Sequence, residues 1–162
     1  MNGTATALDR AFAALSYVMP LASALRAGAY FFSFLAEQAP PVLNVLQLLL
    51  LPLSPLLYIE NNPILGLGIF ILLFAFVVRN TDISRFIRFN VLQAILISFM
   101  ISIASLILSV LGITGGFLGE TLLNVLFLGG MAMVIYSVAQ SVLGRYADIP
   151  TISEAVNMQM PY

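Results

Sequence analysis

FNVLQAILISFMISIASLILSVL fills residues 89–111, and LLNVLFLGGMAMVIYSVAQSVL fills 122–143. Neither holds a charge, and the uncharged runs around them cover 89–119 and 121–144. A helix rising 1.5 Å per residue needs about 20 apolar residues to cross about 30 Å of hydrocarbon. Both stretches meet that length. ITGGFLGE (113–120) between them is Gly-rich and reads as a turn. The pair predicts a transmembrane helical hairpin, with spans at about 88–111 and 121–144.

Composition points the same way. Of 162 residues only 13 are charged, six Arg and seven Asp or Glu, while 61% are apolar. A soluble domain carries about 25% charge, so too few polar groups remain to cover a wetted surface. With net charge −1 there is no basic face for phosphates, which argues against a nucleic-acid partner. The chain has no His and no Cys. That removes the commonest metal and haem ligands and the thiol nucleophiles, so no metal or cofactor is expected. The fold class is an all-α integral membrane protein in one polytopic domain.

The first half is less regular. Residues 11–25 (AFAALSYVMPLASAL) read as a short span over about 8–26, kinked near Pro20 and closed by Arg26. Arg10, this run and Ala22-Ser23-Ala24 imitate a cleavable leader. Asp9 offsets Arg10, however, and Ser16, Tyr17 and Pro20 interrupt the run, so the segment is read as retained. Residues 63–78 are apolar but count only 16, which predicts a span over 58–79 that borrows a turn from 56–59. Pro63 suits a first helical turn. Residues 40–55 hold four prolines, and Pro52 would break a helix in mid-membrane. The stretch 30–56 is therefore expected to be re-entrant or interfacial.

Arginines set the orientation, because Lys and Arg concentrate on the cytoplasmic side. Arg79, Arg85 and Arg88 share one loop, Arg10 precedes the first span and Arg145 follows the last. Placing all of them inside requires an even number of crossings in each half. Four spans with both termini cytoplasmic is the reading, with a tail over 145–162. Five spans, with 42–59 crossing, is the alternative.

Polar side chains within the spans mark candidate surfaces. Ser98, Ser102, Ser105 and Ser109 recur at helical spacing with Asn90 and Ala94. Such a stripe either lines a polar path or lets helices pack closely. Asn90 and Gln93 are costly facing lipid and should point into the bundle or at headgroups. Gly129-Gly130 should permit close approach of a neighbouring helix. No catalytic constellation is present: a serine nucleophile would lack a His or Lys base, and Gly66-x-Gly68 follows no strand.

VVRN (77–80), RFIRFNVLQAIL (85–96) and ADIPTISEAV (147–156) together carry a family resemblance. They resemble the twenty-kilodalton membrane subunit of the chloroplast inner-envelope protein translocon, the Tic complex, and its cyanobacterial relatives. ALSYVMPLASALRAGAYFF (14–32) and PLSPLL (52–57) fall where that family has a Pro-marked first span and a Pro-containing connection. The resemblance implies four spans with both ends stromal or cytoplasmic. It also singles out Arg79, Asn80, Arg85, Arg88, Asn90 and Gln93, with Asp148, Pro150, Ser153 and Glu154 in the tail, as its shared motif. Relatives often carry an acid where Ser98 stands, so a path depending on that acid would be missing. The lack of Lys among plentiful Ala, Leu and Gly favours a cyanobacterial plasma or thylakoid membrane over a plastid-encoded copy.

Three functions are compatible with these features. The first is a subunit of a polypeptide-conducting assembly, acting as a homo-oligomer or with other membrane proteins. The second is a small solute or amino-acid permease. The third is a scaffold for other membrane complexes. A single four-helix bundle has little room for a lumen, so either transport reading requires copies or partners.

Overall fold

The computed structural model describes residues 5–160. Among them the chain is helical with no strand. It is an all-α membrane protein. Three helices are long and apolar enough to cross a bilayer, or four if one bent pair counts as a single span.

The predicted hairpin is present as α7 (Arg85–Val110) and α8 (Gly116–Val142). Both ends of the connection follow from glycine. Gly112, at φ +70°, closes α7 with Gly112 N–H donating to the Ser109 carbonyl and Ile113 N–H to the Leu108 carbonyl. That is the pair of hydrogen bonds of a left-handed helix cap, which glycine adopts without a side-chain penalty. The turn is shorter than 113–120: α8 begins at Gly116, so Glu120 lies within the helix, beyond its first turn.

α1 (Ala7–Ser16) and α2 (Val18–Ala27) occupy the stretch read as the first span, interrupted at Tyr17. The cause is Pro20, fully buried three residues later. Its missing N–H and bulky ring disturb the preceding turn. This span is the centre of the bundle: Tyr17, Ala22 and Ala24 pack with Ala94, Ile97 and Ile101 of α7 and with Phe127 and Val134 of α8. At mid-depth a Cβ on Gly130 would come within 3.0 Å of both Ala24 and Ile101, whereas one on Gly129 would meet nothing within 4 Å. Gly130 is thus the close-approach position, and Gly129 faces outward.

Beyond Gly28 the chain turns by 65° into α3 (Ala29–Gln38). α4 (Pro40–Leu50) packs back on α3, a 3₁₀ turn follows at Leu51–Leu53, and α5 (Ser54–Asn61) continues. The 3₁₀ turn contains Pro52, as the missing donor requires. Even so, Pro40–Asn61 remains a run long and apolar enough to cross, and only 6% of it is buried.

The stretch 58–79, read as a span, is not one continuous helix. Asn62 ends α5 and caps a new helix, α6 (Pro63–Leu72), by accepting from the Ile64 and Leu65 N–H groups at 3.0 and 3.2 Å. The turn at 56–59 therefore belongs to α5. Residues Leu73–Val78 widen into a π-helical segment that packs on α7. The tail ends in α9 (Ile152–Gln159), which lies on α7.

Candidate functional site

The N-terminal turn of α1, the arginine loop before α7 and the tail after α8 meet at one end of the bundle. Ser84 Oγ donates to Asp9 Oδ1 at 3.0 Å, tying the start of α7 to the start of α1. The Arg10 guanidinium lies over Gly144, where a Cβ would approach within 2.8 Å. Arg79, Arg85, Arg88 and Arg145 belong to the same end, hereafter the basic end.

Beneath it sits a knot of buried amides and hydroxyls. The Tyr17 hydroxyl lies 2.8 Å from Asn90 Oδ1 and 2.7 Å from Gln93 Oε1. It has one proton for two acceptors. Ser141 Oγ, also with one proton, lies 2.9 Å from Asn90 Oδ1 and 2.8 Å from the Ser137 carbonyl. Asn90 Nδ2 donates to the Phe86 carbonyl at 2.8 Å. Gln93 Nε2 reaches the tail, donating to the Ala147 carbonyl and to Ser153 Oγ, both at 3.0 Å. Ser153 Oγ also accepts from Ile149 N–H at 2.8 Å and bonds the Ala147 carbonyl at 3.1 Å. Asn90, Gln93, Ser137 and Ser141 are all 0% exposed. Two buried oxygens, Asn124 Oδ1 and Ser137 Oγ, have no hydrogen bond among the described residues.

The tail enters the knot through a strained turn. Thr151 has φ +69° and ψ −48°, and Ile152 N–H donates to the Pro150 carbonyl at 2.8 Å. This is a γ-turn with positive φ, an uncommon conformation for a β-branched residue. Beyond it, Val156 and Met160 dock on Val78, Phe89, Leu92 and Ile95. Tyr146 stacks edge-on against Phe86 and Phe89. Burial raises its phenol pKa, and Arg85 partly offsets that rise.

Of the predicted motif, the structure brings together Asn90, Gln93 and Ser153. Arg88 is buried, and its Nε donates to the Val78 carbonyl at 3.0 Å. Arg79, Asn80, Arg85, Asp148, Pro150 and Glu154 remain exposed. Asn80 Oδ1 caps its own loop by accepting from Asp82 N–H at 2.9 Å. Sequence reasoning missed Tyr17 as a partner. The available signal was a phenol inside an apolar run, which when buried needs a hydrogen bond.

The serine stripe divides. Ser98 Oγ lies 2.8 Å from Ser23 Oγ of α2, and Ser102 Oγ 3.4 Å from it. Ser105 lines a cavity of about 350 Å³ with Ser102, Ser23 and Arg26, and Ser109 is exposed. Arg26 donates to Ser23 Oγ at 3.1 Å, to Asn61 Oδ1 at 3.0 Å and to the Glu60 carbonyl at 3.3 Å. It therefore ties α2 to the C-terminal end of α5, whose last carbonyls lack helical partners.

The family described as "Chloroplast import apparatus Tic20-like" matches residues 7–156. The chain belongs to the Tic20 family. A Tic20 family protein of Synechocystis is 46% identical over 99% of this chain and 98% of its own length, which sets the chain in the cyanobacterial branch. A Tic20 family protein Ycf60 of Gracilaria tenuistipitata is 34% identical, over 96% of this chain and 76% of the relative. The protein TIC 20-II, chloroplastic, of Arabidopsis thaliana is 29% identical, over 95% and 73%. The match to Ycf60 of Cyanidium caldarium spans 51% of that relative. The matched range 7–156 includes the knot and its tail up to Val156.

Proposed function

We propose that this Tic20 protein is a membrane-embedded subunit of a polypeptide-translocating assembly and works with further copies or partner membrane proteins. The observation that carries the reading is the family match over 7–156. Packing supports the need for partners: Gly130, Ala24 and Ile101 meet at mid-depth, so the centre of one bundle is filled by side chains. A passage would then run along an outer face or between subunits. We place both termini and the arginine loop in the cytoplasm, with spans close to 8–26, 58–79, 88–111 and 121–144. The 65° bend after α2 supports an interfacial course for 30–56.

Two experiments test this. Since the chain has no Cys, single cysteines report topology cleanly. Thr81→Cys and Asn157→Cys should be shielded from an outside-only thiol reagent in intact cells, and Thr114→Cys should be labelled. Outside labelling at Thr81 would sink the four-span arrangement. A photo-reactive residue at Ser105 should crosslink an arrested exported precursor if the assembly conducts polypeptides. Crosslinks confined to resident membrane proteins would favour the scaffold reading, which the filled bundle also fits.

A further inference from the structure

The strained turn at Thr151, with φ +69° and ψ −48°, has no local reward. The Thr151 side chain is exposed and does not cap α9. What the turn achieves is to bring two acceptors to one amide. On either side of it, the Ala147 carbonyl and Ser153 Oγ both stand 3.0 Å from Gln93 Nε2. Farther on, Val156 and Met160 are buried in one cluster with Phe89, Leu92 and Ile95.

Strain of this kind persists only where the surroundings over-determine it. Here docking on α7 supplies the constraint, and an undocked tail lets Thr151 return to a φ below zero. The chain leading into the turn is suited to such a movement. Gly144 closes α8 at φ +72°, and 145–149 form neither helix nor strand. Gln93 and the apolar contacts thus pull the tail shut, while the turn at Thr151 pushes it open.

We infer that residues 145–160 are a hinged strap, which opens at Gly144 while the helical bundle stays folded, and that Thr151 sets how often it opens. Opening bares Gln93 and the apolar face of Phe89, Leu92 and Ile95. The basic end thereby has a sealed state and an open one, whatever the protein transports.

The test uses the full-length chain in detergent. It has no Cys, so Val156→Cys and Val134→Cys each report one site. Both valines are buried, Val156 under the strap and Val134 within the bundle. Local opening should let a small water-soluble thiol reagent reach position 156 about tenfold faster, or more, than position 134. Thr151→Gly removes the strain, whereas Thr151→Ala keeps a Cβ at the same φ. Relief of such strain is equivalent to about 5–150-fold in an equilibrium. The freedom of glycine in the open form offsets about two- to fivefold of that. Labelling at 156 should therefore be about tenfold slower with Thr151→Gly than with Thr151→Ala. Ser153→Ala, which loses an acceptor of Gln93, should instead speed it. Equal labelling at 156 and 134 would overturn the proposal, and so would equal rates for Thr151→Gly and Thr151→Ala. If Val156→Cys itself detaches the tail, amide hydrogen exchange over 156–159 in the cysteine-free chains decides: protection should rise with Thr151→Gly, and no rise overturns the strap.

Discussion

α2 and α7 share one seam, and its two ends are built differently. At the basic end Tyr17, Asn90 and Gln93 are buried, and their bonds run to α8 and the tail. Toward Arg26 the same helices meet through serine hydroxyls at 2.8 and 3.4 Å, and the seam then opens at Ser105. An amide has donors and an acceptor at fixed angles and is costly to bury unpaired. A serine can turn back to its own helix carbonyl at little loss. The basic end therefore specifies one arrangement of α1, α7, α8 and tail, whereas the serine end sets only a spacing.

That contrast predicts its largest effect at Gln93. Gln93→Leu removes the acceptor used by Tyr17 and the donor used by the Ala147 carbonyl and Ser153. Tyr17 keeps Asn90, and the Ala147 carbonyl and Ser153 keep each other, so the loss is that of three buried hydrogen bonds at about 1 kcal/mol each. The expected loss is about 2–3 kcal/mol, read as a fall in folded yield and in thermal midpoint, with the tail becoming protease-sensitive. Asn90→Leu should follow closely. Arg85→Gln removes an exposed charge and should cost at most about 1 kcal/mol. If Arg85→Gln matched Gln93→Leu, the knot would not be what holds this end together.

The adjacent glycines sharpen the comparison at mid-depth. Gly130→Leu must push α2 and α7 away, and overpacking of this kind costs about 1–3 kcal/mol. Gly129→Leu adds a side chain where nothing lies within 4 Å and should be tolerated. Chemical unfolding in detergent would separate the two. Equal losses would mean that a partner also covers the Gly129 face.

Much of this was legible in the sequence, for identifiable reasons. The α7–α8 hairpin could be read because two long apolar runs exceed the thickness of a bilayer. Asn90 and Gln93 could be singled out because amides in such runs need partners. The particular bonds that hold the tail could not be read, since Ser153 and Ala147 join Gln93 across 54–60 residues of chain. The break at Asn62 was concealed by Pro63: the proline correctly marked a helix start, while the length requirement argued for joining the helices across it. Nor could sequence decide between Gly129 and Gly130, because the two differ only in which helix face they occupy.

The smallest effect concerns the serines themselves. Ser102 makes a long 3.4 Å contact to Ser23, so Ser102→Ala should lose about 0.6 kcal/mol or less, the average for a hydrogen bond between membrane helices. Ser98→Ala, at 2.8 Å, should lose slightly more. Ser102→Leu should instead separate α2 from α7, because size and not the hydroxyl sets the approach. Thiol accessibility distinguishes packing from a wet path along the same face. Single cysteines at Ser98 and Ser102 should stay silent toward a small water-soluble reagent. One at Ser105 should react from the Arg26 side, where the cavity begins. Reaction along the whole stripe would mean that water reaches Ser23, and the seam would then be a path and not a joint.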